Sequence, residues 1–412
     1  MTAAPGPPTL RIAFDLTPAV RQRAGIGRYT RELGRSLAAR GDLDLVWFVA
    51  DRLDAAGRAA AAALVGADER AVRSMPLAAR ALTVLWHRLG LPLPAGPWLR
   101  RGPAGGRPID VFHATDYLAP PRPGAPALVT IHDLSFLRHP ELADPALARF
   151  LARSVPRAAR RAARVMADSA WTRADVIALL GVPPERVGVA YAGVDAAFRP
   201  AGPGVDAAAD EAARRRLGLD APYVLGVGTI EPRKDWPTLV TAFAAARAPG
   251  EGAASPLAGH ALVLCGGLGW RTEATLAAVD AARAAGHDVR RLGFVADADL
   301  PAVYRGATAF AFPSRYEGFG LPPLEALACG VPTVVSDASC LPEVVGDAAL
   351  QAPCGDAAAL AAALRALAGD GALRARLAAA GPARAARFRW AAAAEAVVGA
   401  YRAVAGAGGD GA

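Results

Sequence analysis

The chain alternates short apolar runs with longer stretches in which apolar residues recur at helical spacing. Short apolar runs bounded by glycine, proline or charged residues are typical of strands buried on both faces. Strands alternating with helices predict an α/β protein with parallel sheets. The strands predicted in the first half are Leu10–Asp15, Leu45–Val49, Val111–His113, Ala127–His132, Arg164–Ala167 and Val187–Ala190. Those in the second half are Tyr223–Val227, Ala261–Cys265, Val289–Leu292, Ala309–Phe312 and Thr333–Ser336.

The two sets of strands predict two Rossmann-like domains in tandem, because 412 residues are too many for one ordinary core. The join is expected near Phe198–Asp220, where prolines and glycines precede a charged helix. The predicted limits are 1–200 for the first domain, 201–385 for the second, and 386–412 for a C-terminal helix and tail.

The C-terminal part of the chain, from Asp356 to Gly409, has the pattern of alanine-rich helices. Pro382 predicts a break within it, because proline lacks the N–H group that a helix interior needs. A last amphipathic helix is expected from Phe388 to about Val404.

The composition is that of a globular protein, with 53% hydrophobic and 20% charged residues. The formal net charge of +8 favours anionic partners, which could be substrates or a membrane surface. A nucleic acid is excluded as partner, since the sequence has no recognition-helix pattern, aromatic RNA-binding signature or zinc-finger spacing.

The start of the chain, Met1 to Pro8, lacks the basic-then-apolar form of a signal peptide. No uncharged apolar run reaches the roughly 18 residues of a spanning helix. None of the four cysteines forms a C-x-x-C pair, which is typical of buried, reduced thiols. A cytoplasmic protein is expected, with a possible peripheral position at the inner face of the membrane.

Two segments combine basic and apolar residues. Arg80–Arg101 contains two tryptophans and several arginines around a Leu-Pro-Leu-Pro sequence, and Arg153–Arg164 carries five arginines in a helical pattern. Both are candidates for an interfacial patch on anionic lipid. The alternative is a solvated helix face beside a packed one, and it is favoured for the second segment.

The segment from Glu317 to Glu325 is the most informative in the chain. Two carboxylates, separated by seven residues, flank a glycine loop that leads into a helix start. Gly318 and Gly320 let the backbone approach a ligand closely, and the following prolines suit a first helical turn. Free N–H groups at the helix start would favour a phosphate, while carboxylates accept hydrogen bonds from sugar hydroxyls. The pattern predicts a sugar-nucleotide site.

A second candidate phosphate site follows the predicted strand Tyr223–Val227. The chain turns at Gly228 and then presents Arg233 and Lys234 near a helix start. Two cations beside a close-approaching backbone suit a pyrophosphate. A loop that is merely basic is the alternative, which the Glu317–Glu325 segment in the same domain disfavours.

The first strand is followed by a glycine pair, Gly25 and Gly27, at the start of a helix. A G-x-G after a strand is weak evidence for a dinucleotide site, and the third glycine of that fingerprint is missing. An NAD-dependent oxidoreductase is therefore a poor interpretation, although it stays a different-class alternative beside a non-catalytic membrane-surface scaffold.

Two histidines stand near predicted strand ends, where open α/β sheets bind ligands. His132 ends a predicted strand and precedes Asp133, and His113 with Asp116 is a weaker case of the same kind. A histidine in this position is more often packed than functional.

Taken together and in this order, these motifs resemble the retaining glycosyltransferases of family four. The resemblance also includes Arg291-Leu292-Gly293-Phe294-Val295 and spans roughly Arg11 to Asp347. It implies the GT-B fold, in which two Rossmann-like domains face a cleft and the last helix crosses back to the first domain. Where many relatives carry arginine this chain has Thr229, which leaves Arg233 and Lys234 to supply the charge.

The resemblance also implies roles for single residues. Arg233 and Lys234 would bind the donor diphosphate. Glu325 would hold the ribose hydroxyls, and Glu317 the hydroxyls of the donor sugar. The backbone amides beside them belong to Gly318, Phe319, Gly320 and Leu321.

The remaining implied contacts come from other loops. Gly293, Phe294 and Val295 would border the nucleobase, and Gly228 would lie against the phosphates. His132 would lie near the reacting anomeric carbon. Gly25 and Gly27 would close over the phosphates and the acceptor.

The expected reaction moves a hexose from a nucleotide diphosphate sugar to a glycan or lipid-linked acceptor. GDP-mannose is the favoured donor and a UDP-sugar the alternative, because the Glu-Pro-Arg-Lys sequence resembles that of mannosyltransferases. No cofactor and no metal are expected, since cations and amides can stabilise the leaving diphosphate. The D-x-D pairs Asp42/Asp44 and Asp297/Asp299 are interpreted as caps and surface charge.

Overall fold

The computed structural model describes residues 9–22, 25–99, 107–248 and 254–407. Arg100, Arg101 and the tail beyond Ala407, which belong to segments considered above, lie outside the described residues, as do Arg23 and Ala24. Within them the chain forms two sheets whose strand pairs are all parallel, so the α/β prediction is confirmed.

The first sheet has seven strands in the order β3-β2-β1-β4-β5-β6-β7. Its interior strands are buried on both faces, which explains their continuous apolar sequences. The strands are β1 Leu10–Asp15, β2 Leu43–Val49, β3 Val72–Ser74, β4 Val111–Ala114, β5 Ala127–Ile131, β6 Arg164–Ala167 and β7 Val187–Val189.

The second sheet repeats this topology with six strands in the order β10-β9-β8-β11-β12-β13. In both sheets the order reverses beside the first strand, at β1/β4 and at β8/β11. The strands are β8 Tyr223–Val227, β9 Ala261–Cys265, β10 Val289–Gly293, β11 Ala309–Phe312, β12 Thr333–Ser336 and β13 Leu350–Ala352.

Helices connect the strands and cover the sheets. Those of the first half are α1 Thr17–Arg21, α2 Ile26–Ala38, α3 Ala55–Ala63, α4 Ala79–Thr83, α5 Gly96–Leu99, α6 Ser135–Arg138, α7 Pro145–Arg161 and α8 Ala170–Leu180. Those of the second half are α9 Ala207–Arg216, α10 Trp236–Arg247, α11 Glu273–Ala284, α12 Leu300–Arg305, α13 Leu321–Ala328, α14 Leu341–Val345, α15 Ala357–Gly369, α16 Gly371–Ala385 and α17 Trp390–Ala407.

The chain divides into two compact units. The first comprises residues 1–134, 149–193 and 389–412, and the second comprises residues 135–148 and 194–388. The short segment 135–148, which the sequence-based limits assign to the first domain, thus belongs by its contacts to the second unit. The limits 1–200, 201–385 and 386–412 remain predictions.

The last helix, α17, packs within the first unit, as the family resemblance implies. The Trp390 ring lies 5.7 Å from that of Tyr29, and the hydroxyl of Tyr401 lies 2.7 Å from Nδ1 of His113. A Cβ on Gly193 would come within 2.2 Å of the Trp390 backbone nitrogen. Glycine at this position therefore permits the helix to begin where it does.

The prediction that Pro382 breaks the C-terminal helices is wrong, because Pro382 lies inside α16. One proline removes a single helical N–H···O bond, and the turns on either side continue. One break occurs instead at Asp370, whose side chain accepts the Leu373 amide and so begins α16, and a second lies between the end of α16 at Ala385 and the start of α17 at Trp390. No helix among the described residues is long and apolar enough to cross a membrane.

Candidate active site

The candidate site of the second unit lies at the carboxyl edge of its sheet, where the strand order reverses. Gly228 follows β8, and Ser314 lies just beyond β11, its hydrogen-bonded neighbour. Open α/β sheets bind ligands at such a reversal, because the loops of the two strands diverge and leave a crevice.

The loop after β8 positions two cations. Its short 3₁₀ turn Pro232–Lys234 ends at Asp235, which adopts a left-handed conformation with φ 52° and leads into α10. The loop after β9 approaches it so closely that a Cβ on Gly266 would lie 2.0 Å from the Gly228 carbonyl oxygen. Glycine is required at 266 to let these two loops meet.

Arg233 and Lys234 converge on one carboxylate, that of Glu317 in the loop after β11. Arg233 Nη1 donates to Glu317 Oε2 at 2.7 Å, and Lys234 Nζ donates to Glu317 Oε1 at 2.6 Å. Ser314 Oγ lies 2.6 Å from the same Oε1, and Arg233 Nη2 also donates to Glu231 at 2.8 Å. These five residues, Glu231, Arg233, Lys234, Ser314 and Glu317, are called the cation cluster below.

The cation cluster is buried and charged. Glu317 is 6% exposed and Lys234 7%. Burial by itself would raise the pKa of Glu317, but the Arg233 and Lys234 cations beside it, together with hydrogen bonds, lower that pKa to about 2. Its carboxyl is therefore ionised throughout the neutral range.

The second carboxylate, Glu325, has a different partner. It lies inside α13, is 3% exposed, and accepts a hydrogen bond from the Tyr304 hydroxyl at 2.8 Å. The two glutamates of the E-x7-E pattern thus occupy distinct environments, one beside cations and one beside a phenol.

The helix start between them offers fewer free amides than the sequence pattern indicates. α13 begins at Leu321, so Pro322 and Pro323 lie in its first turn, as expected, and supply no N–H groups. The amides of Gly320 and Leu321 remain, and among the described residues the structure gives neither an acceptor. Gly320 has φ 97°, a conformation that favours glycine. The phosphate-binding potential is therefore restricted to a few amides, rather than spread over a whole helical turn.

Three further predicted residues, Gly293, Phe294 and Val295, lie at the carboxyl end of β10. Gly293 is its last residue, with φ 71°, and its carbonyl accepts the Gly266 amide at 2.8 Å. Phe294 is 50% exposed, whereas Val295 is 6% exposed. A half-exposed aromatic ring at the carboxyl edge can stack on a flat ligand.

The first unit has a buried pair of its own at the carboxyl edge of its sheet. His132 follows β5 and Asp168 follows β6; Nδ1 of His132 lies 2.6 Å from Asp168 Oδ2. Nε2 of His132 lies 2.7 Å from the Thr115 carbonyl oxygen. The Tyr29 ring packs edge-on against the imidazole at 4.8 Å between ring centroids.

The hydrogen-bond partners define the protonation of His132. Since a carbonyl only accepts, Nε2 must carry a proton, and the second proton lies between Nδ1 and Asp168. Burial by itself would lower the pKa of His132, but the Asp168 charge and its hydrogen bond, with smaller contributions from Asp116 and Thr115, raise that pKa to about 9. At neutral pH the ring is a cation held against a carboxylate, and it is not a free base.

His113 is structural by comparison. It is fully buried between the Tyr401 hydroxyl at 2.7 Å and the Thr130 hydroxyl at 2.9 Å. Burial, with a smaller contribution from the His132 charge, lowers the pKa of His113 to about 3, so this ring is neutral. It joins the sheet to α17.

The glycine pair of the first unit lies at the start of α2. Gly25 precedes the helix with φ 58°. A Cβ on Gly27 would come within 1.8 Å of the Gln22 carbonyl oxygen, so glycine permits the chain to fold back there. Gly25 thus has the positive φ that favours glycine, and Gly27 allows the close approach to Gln22. The ligand contacts implied for both residues stay predictions.

The sequence patterns did not indicate several residues of the two sites. Asp168, Ser314 and Gly266 each follow the end of a strand, so the strand pattern alone could have indicated them. Tyr304 lies within a helix and no local signal connects it with Glu325.

Aspartates of both D-x-D pairs form ion pairs with arginines. Asp42 pairs with Arg40 and Arg402, and Asp299 pairs with Arg216. Across the described ranges no group of three or more His, Cys, Asp or Glu side chains is placed to hold a metal ion.

Two family models match the chain, one for each half. Residues 23–198 match Glycosyltransferase Family 4, and residues 209–384 match Glycosyl transferases group 1. O-antigen chain mannosyltransferase B of Escherichia coli is 32% identical over 280 residues, which cover 68% of this chain and 71% of that protein. D-inositol 3-phosphate glycosyltransferase of Salinispora arenicola is 36% identical over 239 residues, which cover 56% of this chain and 52% of that protein.

Solved structures share the architecture over nearly the whole chain. Sucrose-phosphate synthase from Thermosynechococcus elongatus has a TM-score of 0.70 at 21% identity, with 97% of this chain and 100% of that chain covered. The Anabaena protein HepE, crystallised with UDP-glucose, has a TM-score of 0.68 at 18% identity, with 96% and 100% covered. At these identities the likeness shows the fold alone.

Fold and relatives define a class: a two-domain α/β glycosyltransferase of the GT-B type. The chain belongs to glycosyltransferase family 4, as the sequence motifs predicted.

Proposed function

We propose that the protein transfers a hexose, with mannose as first choice, from GDP-mannose to a glycan or lipid-linked acceptor, with retention of configuration and without a metal. A UDP-sugar is the alternative donor. The observation that carries this proposal is the cation cluster at the strand-order reversal of the second unit, where Arg233 and Lys234 meet Glu317. The reaction would serve polysaccharide or glycoconjugate biosynthesis. The Escherichia coli relative, which is named an O-antigen chain mannosyltransferase, supports this.

The donor diphosphate would bind beside Arg233 and Lys234. Because Glu317 neutralises part of their charge, an incoming diphosphate would share the two cations with this carboxylate. The amides of Gly320 and Leu321 would add neutral donors to the phosphate oxygens. As negative charge builds on the departing diphosphate, these fixed groups would stabilise it, which is the role a metal has in other enzymes.

The hydroxyl groups of the donor would be held by the two glutamates. Glu317 accepts from Arg233, Lys234 and Ser314, and a carboxylate has about four lone-pair directions, so one direction suits a sugar hydroxyl. Glu325, fixed by Tyr304, would hold the ribose. Phe294, half exposed between Gly293 and Val295, would border the base.

The role we propose for His132 is electrostatic. Its Nε2 proton is directed at the Thr115 carbonyl and its Nδ1 at Asp168, so neither nitrogen is placed to accept a proton. This supports a mechanism in which the acceptor hydroxyl attacks from the leaving-group side and the departing phosphate takes its proton. Gly25 and Gly27 would allow the α2 start to close over donor and acceptor.

The protein is proposed to work in the cytoplasm, at the inner face of a membrane when its acceptor is lipid-linked. The net charge of +8 supports this position, since anionic lipid headgroups attract basic surfaces.

A thermal-shift panel with GDP, UDP, ADP and NAD tests the proposal, followed by turnover of GDP-mannose and UDP-glucose. We expect GDP to raise Tm most, and Lys234→Ala to abolish that rise, whereas Arg283→Ala, which removes a half-exposed cation elsewhere in the unit, leaves it unchanged. A rise in Tm with UDP only would mean that the donor is a UDP-sugar rather than GDP-mannose. Stabilisation by NAD alone, or by no nucleotide, would overturn the proposed function.

A further inference from the structure

A cavity of about 430 Å³ opens in the first unit and takes no part in the chemistry described above. Three segments form it: the proline-rich loop between β4 and β5, the C-terminal half of α7, and the π-helical turn Val84–Arg88. The two basic segments noted in the sequence thus come together around one cavity. Its volume lies within the range of about 300–1,000 Å³ that small-molecule sites occupy.

The cavity lies at the amino edge of the sheet, opposite the His132 pair. Ala127, the first residue of β5, lines it, while His132 follows the last residue of the same strand. Likewise Ala162, which lines the cavity, precedes β6, while Asp168 follows it. Five residues of strand correspond to about 16 Å at 3.3 Å per residue. The cavity is therefore a separate site.

The polar groups of the cavity suit an anion. Arg157 and Arg161 are exposed, lie one helical turn apart on α7, and have no carboxylate or other side-chain partner among the described residues. Ser154, one turn earlier, is 9% exposed, and its hydroxyl has no hydrogen-bond partner in the described part of the chain. No Asp or Glu is among the described residues that line the cavity. Two guanidinium groups and a hydroxyl on one helix face match a phosphate.

The remaining wall is apolar. Trp86 is 5% exposed and its indole N–H donates to the Leu93 carbonyl at 3.0 Å, so its polar atom is satisfied. Burial lowers the pKa of His87 to about 4, which leaves this neighbour neutral as well. Prolines 120, 121 and 123 complete a stiff wall. A ligand that uses both walls must combine a phosphate with an apolar part.

An exposed apolar turn adjoins the cavity. Gly90 lines the cavity, and its neighbours Leu89 and Leu91 are 63% and 44% exposed. Leucines so exposed beside unpaired arginines are typical of surfaces that contact a bilayer interface.

We propose that this cavity binds the phosphate headgroup of an anionic phospholipid, with Arg157, Arg161 and Ser154 on the phosphate and the Leu89–Leu91 turn against the acyl region. The site would attach the first unit to the membrane at a defined position. It is independent of the donor site and of the sugar transferred.

Vesicle flotation tests the proposal, with liposomes of phosphatidylcholine alone and of phosphatidylcholine with phosphatidylglycerol at a ratio of about 7:3, a composition that gives the negative surface potential of an anionic membrane. We expect binding only to the anionic vesicles. Arg157→Gln with Arg161→Gln should weaken it more than about tenfold, since two phosphate contacts and two charges are lost. The matched control, Arg153→Gln with Arg160→Gln, removes the same charge from exposed positions of α7 that do not line the cavity, and should change binding less than twofold.

Equal loss in the two double variants would overturn the proposal, because binding would then depend on diffuse charge. The proposal would also be overturned if the unaltered protein did not float with the anionic vesicles. Retained GDP- or UDP-induced stabilisation in Arg157→Gln/Arg161→Gln would show that this variant is folded.

A second measurement separates lipid from soluble phosphate. In titration calorimetry, dihexanoylphosphatidylglycerol should bind and glycerol 1-phosphate should not. Ala158→Leu, which fills the cavity without changing charge, should abolish it. Equal binding of glycerol 1-phosphate, or no effect of Ala158→Leu, would overturn the lipid assignment.

Discussion

Each unit buries a charged cluster at the carboxyl edge of its sheet, and the two clusters are built differently. In the second unit, Glu317 contacts two cations, Arg233 and Lys234. In the first unit, His132 contacts one carboxylate, Asp168. Glu317, Lys234, His132 and Asp168 are almost fully buried, and the Arg233 side chain is 17% exposed. Burial therefore cannot explain how differently the two clusters respond to pH.

The difference lies in the kind of partner. Although burial opposes it, the Arg233 and Lys234 cations, with hydrogen bonds, lower the pKa of Glu317 to about 2, so this carboxyl stays ionised across the physiological range. A single carboxylate raises the pKa of His132 to about 9, within reach of an alkaline assay. We therefore expect the charge of Glu317 to stay fixed in an alkaline assay and the charge of His132 to change.

The largest effect is expected from the second unit. Lys234→Ala or Glu325→Ala should reduce transfer by about 1,000-fold, because each removes a charged group from a preorganised site. Steady-state turnover of the donor identified by the nucleotide panel measures this loss, and circular dichroism reports whether the fold survives. Near-normal turnover in either folded variant would contradict the roles proposed for these residues.

Next in size is the effect of Glu317→Gln on stability. Removing this carboxylate leaves Arg233 and Lys234 buried without full compensation, which should lower the free energy of unfolding by about 3–5 kcal/mol. A bound nucleotide diphosphate would supply the missing charge, so its stabilising effect should be larger than in the unaltered protein. Urea denaturation with and without nucleotide measures both, with the exposed Glu211→Gln as control.

The pH dependence of this contribution has a definite sign. The pKa of Glu317 is lowered from 4.5 to about 2, so the stabilisation is present above pH 4.5 and is lost as the pH falls toward 2. Glu317→Gln should lose that acid dependence. An unchanged acid limb would mean that Glu317 is not held by the cations.

The sequence predicts the strands of both sheets well, because buried parallel strands are continuous apolar runs. Six of them, β1, β6, β8, β9, β11 and β12, have the predicted limits. The strands β3 and β13 were missed, because a central arginine or glutamine interrupts the apolar run in each. The equally short edge strand β7, which contains no polar side chain, was predicted.

For the candidate site, the sequence predicted which residues take part but not which of them contact each other. Glu317, Arg233 and Lys234 are recognisable from local glycine turns and strand ends. Their ion pairs join residues more than 80 positions apart, which no local pattern can specify. The prolines after Gly320 were interpreted as a helix start, correctly, but their missing N–H groups restrict the amides that the expectation relied on.

The first unit should respond to Asp168→Asn. Without the carboxylate, burial dominates, and the pKa of His132 should fall from about 9 to below its ordinary 6.5. NMR titration of the ring protons measures this directly. Because the pKa is raised in the folded protein, the contribution of His132 to stability is full below pH 6.5 and is lost as the pH rises through 9.

Asp168→Asn also tests whether the charge of His132 affects activity. If an imidazolium is needed, the alkaline limb of kcat/KM should move to lower pH in Asp168→Asn, while a Glu211→Gln control keeps its limb near pH 9. A limb that stays in place would assign the alkaline loss to a different group.

The smallest effect is expected at Tyr304, the hydroxyl partner of Glu325. Tyr304→Phe removes one hydrogen bond to a carboxylate, worth about 1.5–3 kcal/mol, and should raise the KM for the donor about tenfold with little change in kcat. Tyr223→Phe is the matched control, since this buried hydroxyl of the same unit donates to the Val303 carbonyl at 2.6 Å rather than to a carboxylate. It should cost similar stability and leave KM unchanged. If both variants raise KM alike, the effect is one of packing, and Glu325 does not depend on a hydroxyl in the way that Glu317 depends on cations.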